Sequence, residues 1–448
     1  MLRDIQHLRI NTTNLRALLM FVGSLSLSME YLLSLLSGKD MRFSLNWMVF
    51  PFLILLDFCL NPSRYFRPKV LKWAILLALP LIIFYVSGND ANVPEEMSRF
   101  SLVKAGLNAV LIFFFYMLNS EISQNRKMII YGLLLGATFG IAFQFTTIFG
   151  ILPEGAISTL KGLHVDILRV GKLGGDPNQS VIYVLSTGAF ISYIYYTNKI
   201  RNQMLLAYIL SIVLILFVAS TGSRSGQIVT VCMLFLSFSM SWHNIPNNSK
   251  RKIVFLVFIL IASLFILSAV STTKFLKTGL TARWQYSMEY ADDSISHRVM
   301  MYKWLFSKLL SGVQLVGFGY GQYYQEIGHS LPGGAFAIRW PHNSFPDAFI
   351  IGGLPFFLLY LLVWIIAFSN LWKIYKNGQG EIKGESSFFF ILLVGLFIFS
   401  CSLSVIWIKI TWAILGVGFG FLLLKEPIDE KNSELKNGSR TQLKIDNL

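Results

Sequence analysis

The stretch WPHNSFPDAFIIGGLPFFLLYLLVWII, residues 340–366, carries the clearest signal for the fold of this chain. A His, an Asn and an Asp stand directly in front of a long apolar run, and Pro346, Gly353 and Pro355 interrupt its first turns. About 20 consecutive apolar residues cross the core of a bilayer as a helix. The stretch therefore predicts a membrane-spanning helix that begins with polar, titratable side chains and breaks one to two turns further on.

Composition places the whole chain in the same class of protein. The 448 residues are 54% hydrophobic and only 14% charged, whereas a soluble domain carries about a quarter charged residues. We therefore expect an all-α polytopic membrane protein with a single transmembrane domain at residues 1–424. About twelve transmembrane helices are predicted, at residues 14–36, 45–61, 70–87, 101–119, 128–149, 179–197, 203–220, 225–242, 253–272, 343–369, 387–403 and 405–424.

The charges between these spans predict the orientation of the chain. Short basic segments, among them 61–72 and 247–252, fall on the same side as the N-terminus. Because basic loops are retained in the cytoplasm, that side is predicted to be cytoplasmic, and the even number of spans places the C-terminus there too. The tail 425–448 is polar and is predicted to be a disordered cytoplasmic segment.

The long segment 273–342 between spans nine and ten is predicted to lie on the outer side although it is basic. Long loops are exempt from the rule that keeps basic segments in the cytoplasm, so the predicted topology is unaffected. Apolar residues at helical spacing within it predict an amphipathic helix on the membrane surface at about 297–310.

Two classes of function are disfavoured by the charge and the cysteine content. The net charge of +15 does not indicate nucleic-acid binding, because the basic residues are scattered between apolar runs and form no basic domain. The three cysteines each lie within an apolar run, so neither a disulfide framework nor a metal-binding spacing is expected.

Arginine side chains and one histidine gather at the predicted outer ends of the helices: Arg169, Arg224, Arg298, Arg339 and His342. Arginine binds phosphate oxygens bidentately, and a histidine close to arginines suits a general base. The pattern favours a transfer in which the arginines hold a phosphorylated lipid as leaving group and His342 removes a proton from an attacking hydroxyl. No pair of outer carboxylates has metal-ligand spacing, so we expect a reaction without metal or cofactor.

Simpler explanations stay open for several of these residues. Asp176 and Pro177 are explained by capping of the helix that follows them. Arg224 could equally extend its side chain to the membrane interface, and a single histidine is more often structural than catalytic.

Four stretches resemble motifs of the bacterial O-antigen ligase and O-antigen polymerase superfamily: RVGKLGGDPNQS (169–180), TGSRSG (221–226), HRVMMYKWLFSKLLSGVQLVGFGYGQY (297–323) and HNSFPDAFIIGGLP (342–355). His342, Asn343 and the triplet 353–355 match the superfamily's His-Asn/Ser motif. Pro346 stands where Leu is usual in that motif. The four stretches occur in the superfamily's order and on the predicted outer side. Together they make the resemblance more specific than a match to any single stretch would.

The resemblance covers roughly residues 165–370 and implies a GT-C-type fold. It also implies a glycan donor linked to undecaprenyl diphosphate, inversion at the anomeric carbon, and chemistry on the outer face of the bacterial inner membrane. Transferred to this sequence, His342 is the expected base, and Arg169, Arg224 and Arg298 are the expected diphosphate-binding residues. Arg339 joins them through its proximity to His342 alone.

The expected function is polymerisation of an O-antigen or exopolysaccharide, with the glycan transferred to a hydroxyl of the next lipid-linked repeat unit. An O-antigen ligase, with lipid A–core as acceptor, has the same donor, fold and motifs and remains open. The expected partners are the lipid-linked oligosaccharide, the lipid bilayer and a chain-length regulator. From other classes, a non-catalytic scaffold and a transporter or flippase are the alternatives; the latter would use Glu30, Asp57 and Lys409 within the predicted spans.

Overall fold

The computed structural model of the chain consists mainly of α-helices. It describes residues 12–29, 46–86, 99–148, 157–161, 166–170, 181–197, 202–221, 224–245, 247, 250, 302–303, 306–307, 343–402 and 408–423. Within these residues the helices are α1 (Thr12–Ser28), α2 (Asn46–Leu60), α3 (Pro68–Val86), α4 (Arg99–Asn119), α5 (Ser123–Ile148), α6 (Val181–Thr197), α7 (Gln203–Thr221), α8 (Arg224–Ser241), α9 (Ser344–Asn377), α10 (Gly380–Ser400) and α11 (Lys409–Gly420).

These helices confirm the predicted helical class, and each overlaps one of the predicted spans. The predicted span 253–272 lies outside the described residues, as do the tail 425–448 and most of the loop 273–342. By length and composition, four helical stretches of the described part can cross a membrane: Ser123–Phe143, Ser225–Asn244, Gly352–Asn377 and Gly380–Ser400. Shorter apolar helices accompany them.

One short pair of strands interrupts the helices. The strands β1 (Ile157–Lys161) and β2 (Asp166–Val170) pair in antiparallel register, with Ile157 opposite Val170. They follow the end of α5 and precede the start of α6, and β2 contacts α5 and α7. These strands were not predicted from the sequence, which was assigned an all-α fold.

Glycines allow two helix pairs to pack at close range. A Cβ atom added at Gly132 of α5 would lie 2.6 Å from the Phe21 carbonyl oxygen of α1. A Cβ atom at Gly416 of α11 would collide with the Phe113 carbonyl of α4. Small residues of this kind let helix backbones approach closely, and the resulting van der Waals contacts help to hold helices together in lipid.

Polar side chains tie together one end of the bundle, which we call the charged end. Asp57 in the last turn of α2 accepts a hydrogen bond from Arg16 Nε at 3.1 Å. Its other carboxylate oxygen accepts bonds from the Tyr65 hydroxyl at 2.6 Å and from Asn119 Nδ2 at 3.0 Å. Burial, followed by the adjacent Asp57 carboxylate, raises the pKa of Tyr65, so its hydroxyl remains a donor to Asp57.

A second buried pair lies at the same end and joins α5 to α10. Arg126 Nε donates to Glu385 Oε2 at 2.6 Å. Three helices therefore begin at the charged end (α1, α5 and α10), and two helices end there (α2 and α4). Successive helices thus run in alternate directions. We call the other end of the bundle the opposite end.

Candidate functional site

The helix α9 begins with a side-chain cap from the motif that the sequence singles out. Asn343 is extended, with φ −153° and ψ 123°, and its side-chain oxygen accepts a hydrogen bond from the Phe345 backbone N–H at 3.0 Å. Asn343 is therefore the N-cap of the helix. The first turn then buries two polar residues, Ser344 and Asp347.

The predicted break in this helix is confirmed and lies at two glycines. Gly352 has φ −127° and ψ 17°, and Gly353 has φ 67° and ψ −164°, both outside the helical region. Pro355 falls in the first turn of the segment that follows, where its missing N–H costs no helical hydrogen bond. The stretch Gly352–Asn377 has 26 residues, or about 39 Å of helix, so it can cross a bilayer without residues 344–351.

Ring contacts show that the first segment of α9 turns back along the second. The rings of Phe345 and Tyr360 are 5.7 Å apart, and those of Phe349 and Phe357 are 6.4 Å apart. In a straight helix Phe345 and Tyr360 would be separated by about 22 Å along the axis. The glycine pair at 352–353 is therefore a reversal of the chain, which is a sharper change of direction than the predicted kink.

The reversal brings the start of α9 to the ends of two neighbouring helices. Phe345 packs against Phe397, in the last turn of α10, with 5.5 Å between the ring centroids. Tyr360 packs against Trp412, in the first turn of α11, at 5.9 Å. The start of α9, the end of α10 and the start of α11 thus meet at the opposite end of the bundle. We call the residues Asn343, Ser344, Asp347, Tyr360 and Lys409 the reversal site.

Polar groups of the reversal site are enclosed by aromatic rings. Asp347 is 1% exposed, and the Tyr360 side chain lies close to Asp347, Ser344 and Trp364. Lys409 opens α11, one turn before Trp412, and is half-buried. A carboxylate in the first turn of a helix is favoured by the positive end of the helix dipole. A buried carboxylate, a hydroxyl and a phenol close together are suited to hold the hydroxyl groups of a sugar.

The structure describes two of the five predicted site residues, and only through their backbone. Arg169 lies in β2, with Ser158 of β1 opposite it. Arg224 is the first residue of α8, whose last turn reaches the charged end, so α8 begins at the opposite end. His342 directly precedes Asn343 in the chain and lies outside the described residues, as do Arg298 and Arg339. The meeting of these five side chains therefore stays a prediction.

The predicted amphipathic helix at about 297–310 is described at four positions. Tyr302, Lys303, Phe306 and Ser307 are helical. Tyr302 packs against the buried core, whereas Phe306 is largely exposed. These positions agree with a helix in this part of the loop.

Sequence reasoning missed two members of the reversal site. Asp347 stands inside the quoted motif, but nothing in the sequence separates it from an ordinary first-turn acid. Lys409 was interpreted as a charge within a span, whereas it is the first residue of α11. Lys409 lies five residues after the break between the last two predicted spans, and a later start of the last span would have placed it at a helix end.

Neither a protein-family model nor a curated protein matches this sequence. Within the described part of the chain, no three His, Cys, Asp or Glu side chains are grouped as a metal site requires.

Proposed function

We propose that this chain is a membrane glycosyltransferase that polymerises a surface polysaccharide. In this proposal it has a GT-C-like fold with twelve spans in the bacterial inner membrane, and its N- and C-termini are cytoplasmic. The donor is a glycan on undecaprenyl diphosphate, and the acceptor is a hydroxyl of the next lipid-linked repeat unit. The observation that carries the proposal is the reversal of α9, which holds Asn343 beside buried polar groups at the opposite end. His342 directly precedes Asn343 in the sequence.

The proposed reaction is one displacement at the anomeric carbon of the donor. The acceptor oxygen forms a bond to that carbon from the face opposite the diphosphate, and His342 takes the proton of the acceptor hydroxyl. The bond between the anomeric carbon and the diphosphate oxygen breaks, and the electron pair leaves with the diphosphate. Arg169, Arg224, Arg298 and Arg339 bind the departing charge, which grows during the displacement. The anomeric configuration is inverted.

The positions of two arginines support a diphosphate site at the same end of the bundle as the reversal site. Arg224 opens α8, whose first backbone N–H groups have no partner within the helix and favour an anion. Arg169 lies in the strand that contacts α5 and α7, and α7 ends only three residues before Arg224. A diphosphate held between these elements would lie at the opposite end, away from the basic loops of the charged end.

The ligase is the second candidate, because it differs from the polymerase only in the acceptor. A gel profile of surface polysaccharide from a strain deleted for this gene separates the two. Single repeat units on lipid A–core indicate a lost polymerase. Long glycan retained on undecaprenyl diphosphate, with a bare core, indicates a lost ligase.

The transporter alternative is weakened by the surroundings of Asp57. Its carboxylate is engaged by Arg16, Tyr65 and Asn119 at the charged end, whereas transporters place their ionisable residues near the middle of the membrane. Glu30 lies outside the described residues. Substrate uptake that is lost in Asp57→Asn and kept in His342→Ala would favour the transporter.

Replacing Arg224 with lysine should lower polymer formation about tenfold, because a lysine retains the charge and loses the bidentate fork of hydrogen bonds. The measurement is the amount of long glycan in a deletion strain that carries the variant at matched protein level. Arg67→Lys is the matched control, because Arg67 is exposed at the charged end and pairs with Glu121 at 2.5 Å. Full activity of Arg224→Lys would remove Arg224 from the diphosphate site.

A further inference from the structure

A polar cavity of about 380 Å³ lies at the charged end, away from the reversal site. It is an open cavity bordered by the last turn of α6, the short turn after α8 and the connection between α9 and α10. The lining residues are Tyr195, Tyr196, Asn244, residues 378–380 and Lys383. Phenol, amide and ammonium groups therefore surround a space that the proposed glycan transfer does not use.

Lys383 is held in this cavity by aromatic rings. Its Nζ atom lies 5.1 Å from the ring centroid of Tyr375 and 5.9 Å from that of Tyr196. Both phenols are fixed in turn, because each donates a hydrogen bond to the Met240 carbonyl oxygen, at 2.9 and 2.5 Å. The ammonium group thus lies beside two phenols that are themselves hydrogen-bonded, and the ring faces stabilise its charge without neutralising it.

The acidic side chains near Lys383 are engaged elsewhere. Glu381, in the first turn of α10, pairs with Lys127, and Glu385, in the next turn, pairs with Arg126. Within the part of the chain that the structure describes, no carboxylate forms an ion pair with Lys383. The cavity therefore presents a net positive charge.

The start of α10 adds backbone donors to the same wall. Gln379 occupies the N-cap position without a side-chain cap bond, and Gly380 opens the helix with φ 54°. The first N–H groups of this 21-residue helix have no acceptor within the helix, and its dipole favours an anion there.

Tyr195 supplies a separate sign that the cavity takes a polar ligand. Tyr195 is 3% exposed, and its hydroxyl has no hydrogen-bond partner among the described residues. Buried polar groups without a hydrogen-bond partner are rare in folded proteins. Tyr195 lines the cavity, so a ligand oxygen that reaches this hydroxyl would satisfy it.

We propose that this cavity binds a phosphate-bearing anion at the charged end. Lys383 and the first N–H groups of α10 would hold the phosphate oxygens, while Tyr195 and the Gln379 and Asn244 amides would contact the group esterified to it. The volume exceeds that of a bare phosphate and leaves room for a further polar group on the ligand. Two sources share this chemistry, namely the headgroup of an anionic phospholipid and a soluble phosphate ester. The inference is independent of the proposed glycan transfer.

The test is the melting temperature of the full-length protein in neutral detergent, titrated with three probes. The probes are dihexanoyl phosphatidylglycerol, glycerol 3-phosphate and uncharged dihexanoylglycerol. A rise with both phosphate compounds indicates that a soluble phosphate ester suffices, and a rise with the phospholipid alone indicates a lipid headgroup. Equal effects of phosphatidylglycerol and dihexanoylglycerol, or no effect of any probe, would overturn the proposal.

Variants distinguish binding in the cavity from a general effect of the protein's positive charge. Lys383→Gln should weaken binding of the effective probe about tenfold, because a charge-assisted hydrogen bond is lost, and Lys383→Arg should retain binding. Lys72→Gln is the control, since Lys72 is an exposed lysine of α3 that does not line the cavity. Binding by Lys383→Gln that equals wild type would overturn the proposal.

Tyr195→Phe keeps the test decisive if Lys383→Gln does not fold. This variant should weaken binding several-fold and leave the melting temperature of the unliganded protein unchanged or higher, because it removes a buried hydroxyl without a partner. A lower melting temperature with unchanged probe binding would contradict the proposal.

Discussion

Replacing Glu385 with alanine should lower the free energy of unfolding by about 3–5 kcal/mol, since it leaves a buried arginine without its counter-charge. Glu385 is fully buried, and Arg126 is 2% exposed. The second Glu385 oxygen accepts a hydrogen bond from the Ser123 hydroxyl at 2.7 Å, so the carboxylate joins α10 to the first turn of α5 at two points. The expected loss is measured by reversible unfolding in mixed micelles.

A neighbouring ion pair provides the matched control. Lys127 and Glu381 join the same two helices one turn away, but both side chains are partly exposed. Glu381→Ala should therefore cost at most about 1 kcal/mol. Replacing both members of the buried pair, as Arg126→Met with Glu385→Leu, should recover much of the loss, because neither charge is then buried alone. Equal effects of Glu385→Ala and Glu381→Ala would show that burial does not determine the strength of these pairs.

Replacing Gly353 with alanine should abolish polymer formation and destabilise the protein by about 3 kcal/mol. The backbone of Gly353, at φ 67° and ψ −164°, lies in a region that is open almost only to glycine. An alanine would strain the reversal that folds Phe345 onto Tyr360 and holds Asn343 at the ends of α10 and α11. The measurement combines unfolding in mixed micelles with the glycan profile of the complemented deletion strain.

Gly380 is the control for this prediction, because it also has a positive φ, of 54°. A Cβ atom added there meets nothing within 4 Å, and the left-handed helical region costs an alanine about 1–2 kcal/mol. Gly380→Ala should therefore be mildly destabilised and keep its activity. Normal polymer formation by Gly353→Ala would show that the reversal is not needed for function.

The sequence predicted the elements of the bundle but not how α9 folds. Hydropathy located the helices, and the glycine and proline residues located the break, because these signals are local. The reversal depends on packing of Phe345 against Phe397 of α10, and such a contact leaves no trace in the periodicity of either segment. The same motif therefore predicted a kink where the chain turns back.

The polar contacts at the charged end also could not be predicted from the sequence. The basic loops were recognisable from composition, whereas the pairing of Arg126 with Glu385 joins residues that are 259 positions apart. Either side chain alone resembles an exposed charge at a helix start. The proposed arginine site is a long-range arrangement of this kind, since Arg169 and Arg224 lie on separate elements.

The most direct test of the proposed function is elongation of lipid-linked repeat units by the purified protein. The substrate is extracted from the deletion strain, and the product is followed by the length of the glycan on undecaprenyl diphosphate. Wild-type protein should extend the glycan, and His342→Ala should be slower by about 10²–10⁴-fold, the contribution of a general base, at an unchanged melting temperature. Elongation by His342→Ala at the wild-type rate would contradict the assignment of His342 as the base.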